Sequence, residues 1–186
     1  MARTKTISDE AVLTAAATVM FAKGPSEFTL ADVAKAAGIA PATLVQRFGD
    51  KHGLVVAAIA HDNLAFDRFL AELAPGSGAE AVISIFTGMF SDVVEDVGHF
   101  ADQLLWLRQD MRDPDLNRLA RERFAALRAA VAARMPPLPI PAEEAALLIE
   151  AHWQGVLVQW GIFRQGALAD FVTERLRAWF DLVTHR

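Results

Sequence analysis

A short stretch near the N-terminus, TLADVAKAAGIAPATLVQRFGDK (residues 29–51), limits the fold more than any other feature of the sequence. Thr29 begins one helical pattern and Gly38 ends it, because threonine caps helix N-termini and glycine accepts the left-handed conformation at which helices stop. Pro41 begins a second pattern, since proline suits the first helical turn, and Gly49 ends it. The stretch therefore predicts two helices of about two turns each that meet at a glycine.

Two helices of this length bury too little surface alone, so their apolar side chains must pack against the helix that we predict over residues 8–23. The side chains expected in this core are Val33, Ala34, Ala37, Ile39, Leu44 and Phe48. Such a pair has the spacing of a helix-turn-helix, in which the second helix enters the major groove of DNA. The positions left for that surface are short, hydrogen-bonding or cationic: Ala42, Thr43, Gln46 and Arg47.

The rest of the chain continues in helical patterns, and no segment alternates with the two-residue period of a strand. A fourth helix runs from its cap Asp50 to Leu73, and further patterns cover residues 79–97, 99–112, 115–134, 142–165 and 167–184. We predict an all-α protein of about nine helices. We predict a three-helix, helix-turn-helix DNA-binding domain over residues 1–50 and a larger helical domain over residues 51–186.

Charge is distributed unevenly along the chain, whose net charge is -5. Residues 1–54 carry six basic and five acidic side chains, a balance of +1, and the remainder carries 12 basic and 18 acidic ones, a balance of -6. All four lysines lie within the first 51 residues. This asymmetry is compatible with a weakly basic binding head on an acidic body.

Several classes of protein are excluded by what the sequence lacks. Without cysteine there are no disulfides and no thiolate chemistry, which fits a reducing cytoplasm. No apolar run approaches the roughly 18–20 residues of a membrane span, and the N-terminus has no apolar core of a signal peptide. We expect a cytoplasmic protein with no membrane partner.

The sequence also lacks the motifs of common enzymes. It has no HExxH, no phosphate-binding glycine loop and no GxSxG, and its five histidines form no short metal-ligand pair. The nearest histidine–carboxylate sets are His99 with Asp102 or Asp110, and His152 with Glu150 or Glu143. Because neighbouring polar residues on a helix usually face solvent, we predict no enzymatic activity, no metal and no cofactor.

The longer stretch FTLADVAKAAGIAPATLVQRFGDKHGL resembles the DNA-binding segment of the TetR family of transcriptional repressors. The resemblance covers about residues 8–55 and rests on the capping threonine, the alanine–glycine turn, the Pro-x-Thr-Leu start of the recognition helix and the later phenylalanine and lysine. It implies a ligand-responsive homodimeric repressor that binds a palindromic operator. Two positions depart from the family pattern, since Val45 replaces the usual aromatic residue and Arg47 the usual histidine.

This interpretation predicts individual DNA contacts. Gln46 is the candidate for base readout because its amide can pair bidentately with adenine, and Ala42 and Thr43 can meet a thymine methyl group. Contacts to phosphate or sugar are expected from Arg47, Lys51, Thr29, the Thr43 hydroxyl and a flexible arm containing Arg3 and Lys5.

One alternative is a helical interaction module that keeps the helix-turn-helix scaffold without binding DNA. Val45, the uncapped position Ala40 and the nearly neutral head favour this alternative. Against it stands the combination of Thr43, Gln46, Arg47 and Lys51.

The last two predicted helices, 142–165 and 167–184, each have an apolar face wider than one stripe. They can pair with their copies as a four-helix bundle, although both faces can also be buried within one monomer. We favour a homodimer, because one module covers only a few base pairs and the family resemblance implies a dimer.

Large apolar side chains and a few polar groups share the intervening helices, which is the composition of a small-molecule site. The predicted lining residues are Phe86, Met89, Phe90, Phe100, Gln103, Trp106, Asp110, His152 and Gln159. We expect an apolar or aromatic effector, and the resemblance implies that its binding changes the separation of two DNA-binding heads. The alternative for each single residue is that it belongs to the ordinary hydrophobic core and contacts no ligand.

Overall fold

The computed structural model describes residues 7–89 and 97–184, with the backbone alone described for residues 97–100. Over these ranges the chain is all-α, as predicted. Its nine helices are α1 (Asp9–Glu27), α2 (Leu30–Ala37), α3 (Pro41–Phe48), α4 (Lys51–Glu72), α5 (Ala79–Gly88), α6 (Val97–Arg112), α7 (Pro114–Ala132), α8 (Ala142–Phe163) and α9 (Leu168–Thr184). None of the helices formed by described residues combines the length and apolar character of a membrane span.

Helix boundaries follow the predicted caps at most positions. The Ser8 hydroxyl accepts a hydrogen bond from Ala11 N at 3.3 Å at the start of α1. This helix breaks where predicted, at Gly24, whose φ of 74° is left-handed, and one more turn follows to Glu27. The predicted helix over residues 79–97 is seen as α5, which ends at Gly88, a residue with poor helix propensity; residues 90–96 of the predicted range lie outside the described residues.

The described chain divides into two compact units. Among the described residues, the first contains residues 7–67 and 101–121, and the second contains residues 68–89, 97–100 and 122–184. Most of α4 and most of α6 therefore belong to the same unit as α1–α3. The functional boundary between residues 50 and 51 stays a prediction.

The core of the first unit surrounds the helix-turn-helix. Its buried members are Val12, Ala16, Met20, Phe28, Val33, Ala34, Leu44, Leu54, Val55, Ala58, Trp106 and Leu116, with Ala37, Ile39 and Phe48 packed against them. The predicted side chains are all present in this cluster. The Phe28 and Trp106 rings stack with their centroids 6.2 Å apart, so α6 supports the end of α1.

The core of the second unit is formed mainly by α5, α8 and α9. Phe86 of α5 lies 5.2 Å from Trp153 of α8 between ring centroids, and Phe180 of α9 is also buried. Most of the α8 side chains that suggested a dimer face are buried in this unit: Ala145, Ile149, Trp153, Val156 and Trp160. For these residues, the alternative that the apolar face is buried within one monomer is therefore correct.

Candidate nucleic-acid interface

The recognition helix α3 has an open face. Successive helical residues are about 100° apart, so positions 42, 45, 46 and 49 share one side. Ala42, Val45, Gln46 and Gly49 are all exposed there, whereas Leu44 on the opposite side is buried. Thr43 is half-buried at the border. Of the predicted base-contacting residues, Ala42 and Gln46 thus lie on the open face, with Thr43 beside it.

The turn before α3 fixes the direction in which this face points. Gly38 adopts φ 67° and ψ 33°, and its N–H bonds with the carbonyls of Ala34 and Lys35. Ile39 N donates to Ala34 O at 3.0 Å, which completes the end of α2. Because this left-handed conformation is unfavourable for most residues with a side chain, glycine at position 38 favours the angle at which α3 leaves the turn.

Thr29 forms a capping box with Asp32. Asp32 N donates to the Thr29 hydroxyl at 3.2 Å, the hydroxyl donates to Asp32 Oδ2 at 2.8 Å, and Thr29 N donates to the same oxygen at 2.9 Å. Lys23 Nζ lies 2.7 Å from Asp32 Oδ1. These contacts, the Lys23 bond first and then those from Thr29, lower the pKa of Asp32 to about 2. The Thr29 hydroxyl is therefore already engaged in the helix cap, which favours a structural role over a phosphate contact.

Arg47 links the recognition helix to the start of α1. Its Nη1 donates to Ile7 O at 2.8 Å and to Asp9 Oδ1 at 3.1 Å. The side chain is 21% exposed, so it is not the open surface group that we expected from its position on α3. Nη1 carries two of the five guanidinium N–H groups, and the three on Nε and Nη2 complete the donor set of the side chain.

Lys51 is bound to the end of α1. Its Nζ donates to Phe28 O at 2.8 Å and to Pro25 O at 3.2 Å. The same ammonium lies 4.0 Å from the centroid of the Phe28 ring. An ammonium has three N–H donors, so these two carbonyls and the ring face occupy its bonding directions. The contacts favour a structural role for Lys51.

The predicted ligand-binding residues are divided between the two units. Gln103, Trp106 and Asp110 belong to the first unit, and Phe86, Met89, His152 and Gln159 belong to the second. Phe90 and the Phe100 side chain lie outside the described residues.

The surroundings of these residues differ. Phe86 is fully buried in its core, whereas Gln159 is exposed. In the first unit, Trp106 lines a cavity of about 290 Å³ together with Phe28, Val55 and Leu116. Gln103 Nε2 donates to Phe21 O at 3.5 Å, and Asp110 O accepts from Asn117 Nδ2 at 3.0 Å. The ligand-binding assignment stays a prediction.

A histidine–carboxylate cluster lies at the rim of this cavity, and sequence spacing gave no sign of it. His52 Nε2 donates to Asp113 Oδ2 at 2.8 Å across 61 residues of sequence. Ligand atoms of His52, Asp113 and Asp115 lie within 4.8 Å of one another. Asp113 Oδ1 caps α7 by accepting from Leu116 N at 3.1 Å, and this bond first, followed by the contact with His52, lowers the Asp113 pKa. Both Asp113 oxygens therefore already accept hydrogen bonds.

The histidine–carboxylate sets considered for catalysis have other partners. His152 Nε2 donates to Arg175 O at 3.3 Å, and the adjacent carboxylate of Glu150 pairs with Arg128. The side chain of His99 lies outside the described residues. The sequence interpretation named Glu150 beside His152 but missed its burial and its pairing with Arg128, because neither has a local sequence signal.

A comparison with known protein families agrees with the helix-turn-helix geometry. Residues 12–58 match the sequence profile described as bacterial regulatory proteins, tetR family. No curated protein shows significant sequence similarity to the chain.

Solved structures share the fold over nearly the whole chain. A protein from Rhodococcus sp., described as a TetR-family transcriptional regulator, is 20% identical with a TM-score of 0.72, covering 95% of this chain and 99% of its own. The regulator FadR from Bacillus subtilis, in complex with stearoyl-CoA, is 16% identical with a TM-score of 0.71, covering 93% and 98%. A regulator from Saccharomonospora viridis, in complex with choline, is 18% identical with a TM-score of 0.75, covering 92% and 94%.

Proposed function

We propose that this chain, which belongs to the TetR family of bacterial regulatory proteins, is a ligand-responsive homodimeric repressor that binds a palindromic operator. DNA-binding transcriptional regulation is the role of the family. The single observation that carries the proposal is the open face of α3, where Ala42 and Gln46 stand on a helix held by its neighbours through a buried core. A rigid helix with short and hydrogen-bonding exposed side chains is suited to the major groove.

In this proposal Gln46 reads a base and Thr43 contacts the backbone beside the groove. Arg47 binds a phosphate through Nε and Nη2 while Nη1 keeps its bonds to Ile7 and Asp9. Lys51 and Thr29 contribute by holding the ends of helices, since their polar groups are engaged within the protein. The role requires the compartment that contains the DNA, which is the cytoplasm of a bacterial cell.

The dimer interface of the proposal is an exposed row on α8. Its members are Leu148, Ala151, Gly155, Val158 and Ile162, spaced alternately by three and four residues. Leu148 is 48% exposed, Val158 42% and Ile162 68%. The two small residues permit close approach of a second helix, and a large exposed apolar surface normally marks an interaction site. We infer that this row meets its copy in a second chain.

Sedimentation of a charged variant tests the interface. Leu148→Glu places a carboxylate in the row, so the dimer should dissociate, whereas Gln154→Glu adds the same charge off the row and should leave the dimer intact. A wild-type monomer at micromolar concentration, or equal dimerisation of both variants, would place the interface elsewhere.

Support for an effector comes from the relatives and from the chain's composition. One structural relative is bound to stearoyl-CoA and another to choline. We propose that an apolar or aromatic small molecule binds this chain and releases it from DNA, as the predicted residues Phe86, Met89, Gln103, Trp106, Asp110, His152 and Gln159 suggest. No catalytic step is part of this role.

The proposal is tested by selecting duplexes from a random DNA library with the purified protein and titrating the selected duplexes with salt. A palindrome with two half-sites, bound more weakly as salt rises, is the expected result. Folded, dimeric protein that enriches no sequence would instead favour the interaction module. The internal bonds of Arg47 and Lys51 are the observation that supports this second candidate, because they reduce the cationic surface of the head.

A further inference from the structure

The recognition helix α3 has one solvent-exposed apolar side chain that takes no part in the DNA contacts proposed above. Val45 is 48% exposed. Among the described residues of α1–α3, no other large hydrophobic side chain is exposed. We propose that Val45 reads the methyl group of one thymine in each half-site. This inference rests on the proposed function, because it requires α3 to enter the major groove.

Val45 occupies one border of the open face of α3. Ala42 and Gly49, at three residues before and four after, form the middle of that face, and Gln46 lies on the other side of them. The two middle residues are the smallest available, so the helix can approach the base edges closely. At such a distance the Val45 methyl groups reach the groove floor beside the base that Gln46 contacts.

The chemistry of the groove selects thymine for this contact. Valine has no donor or acceptor, so it gains nothing from the N7, O6 and amino groups of the other bases. Thymine alone presents a methyl group at C5. Burial of one methyl-sized group between the two surfaces corresponds to about a fourfold change in affinity.

Replacement of thymine by uracil measures this contact directly, because uracil lacks only the methyl group. Starting from the selected operator, each thymine of one half-site is replaced in turn, and affinities are measured for wild type, Val45→Ala and Ala42→Gly, since Ala42 is another residue predicted to meet a thymine methyl group. Wild type should lose about fourfold at one position, Val45→Ala should bind thymine and uracil equally there, and Ala42→Gly should keep the wild-type penalty. Since Val45 is exposed, its truncation should preserve folding, which thermal unfolding checks.

The possible failures are distinguishable. Wild type that tolerates uracil at every position overturns the role of Val45 while DNA binding stands. A penalty that persists in Val45→Ala also overturns it, and its loss in Ala42→Gly would assign the methyl contact to Ala42. Folded dimer that binds no duplex rejects the proposed function, and the role of Val45 with it.

Discussion

Lys51 holds the end of α1 through Phe28, whose carbonyl accepts from the lysine ammonium at 2.8 Å while the ring centroid lies 4.0 Å from it. The last carbonyls of a helix have no partners within it, and a cation near them also interacts favourably with the helix dipole. This contact joins the first turn of α4 to the end of α1. Lys51, which the sequence predicted to contact a phosphate, therefore has a full set of contacts within the protein.

Lys51→Met should destabilise the protein by about 1–2 kcal/mol, because it removes a charged donor from two carbonyls. Urea unfolding measures the change, and Lys35→Met, at an exposed position on α2, is the matched control with little expected effect. The salt dependence of DNA binding should stay unchanged. A slope reduced by about one would restore Lys51 to the phosphate contacts.

Arg47→Ala should weaken binding to all DNA sequences and reduce the slope of log affinity against log salt by about one, the value for one phosphate contact. Asp9→Ala serves as control, since it removes one internal partner of Nη1 and leaves the cation in place. Filter binding at several salt concentrations gives both slopes. An unchanged slope in Arg47→Ala would leave Arg47 the internal role of joining α3 to α1.

Gln46→Ala should relax the base preference at one position of each half-site by about 1–3 kcal/mol, because the exposed amide is the proposed partner of adenine. Competition among duplexes with all four bases at that position measures the preference. Equal selectivity in wild type and variant would remove Gln46 from base readout.

The pair of Arg128 and Glu150 should respond unequally to removal of its two members. Glu150 is 4% exposed and accepts from Arg128 Nε at 2.7 Å, whereas the arginine side chain is 44% exposed. Arg128→Met strands a carboxylate in the core and should cost about 3 kcal/mol. Glu150→Gln leaves an arginine that can turn to solvent, so it should cost less. Urea unfolding that reverses this order would contradict the burial argument.

Asp32 should add a pH-dependent component to stability. Its folded pKa of about 2 lies below the ordinary 3.8, so the component is fully present above pH 4 and is lost as pH falls towards 2. The difference in unfolding free energy between wild type and Asp32→Asn should shrink over that interval. A difference that is constant from pH 5 to pH 2 would show that the charge of Asp32 contributes nothing.

The sequence predicted those parts of the fold that depend on neighbouring residues. Thr29 and Asp32 form the capping box expected from their three-residue spacing, and Gly38 adopts the left-handed turn expected from its place between two patterns. Both signals act within one helical turn. The helix-turn-helix and its core were predictable for this reason.

Contacts between distant segments could not be predicted in the same way. The partners of Lys51 lie in α1, and His52 meets Asp113 across 61 residues. A single sequence contains no signal for such pairings, because they depend on how helices pack. The sequence therefore could not predict the internal groups that bind Arg47 and Lys51.

The open face of α3 takes almost no part in holding the helix in place. Leu44 anchors α3 in the core, while Ala42, Val45 and Gln46 face solvent. Exposed positions of this kind usually accept substitution within about 0.5 kcal/mol of the original stability. Under the proposed role, a new target sequence would require the exchange of exposed side chains alone, so regulators with different targets could diverge from this chain, or be engineered on it, without rebuilding the scaffold.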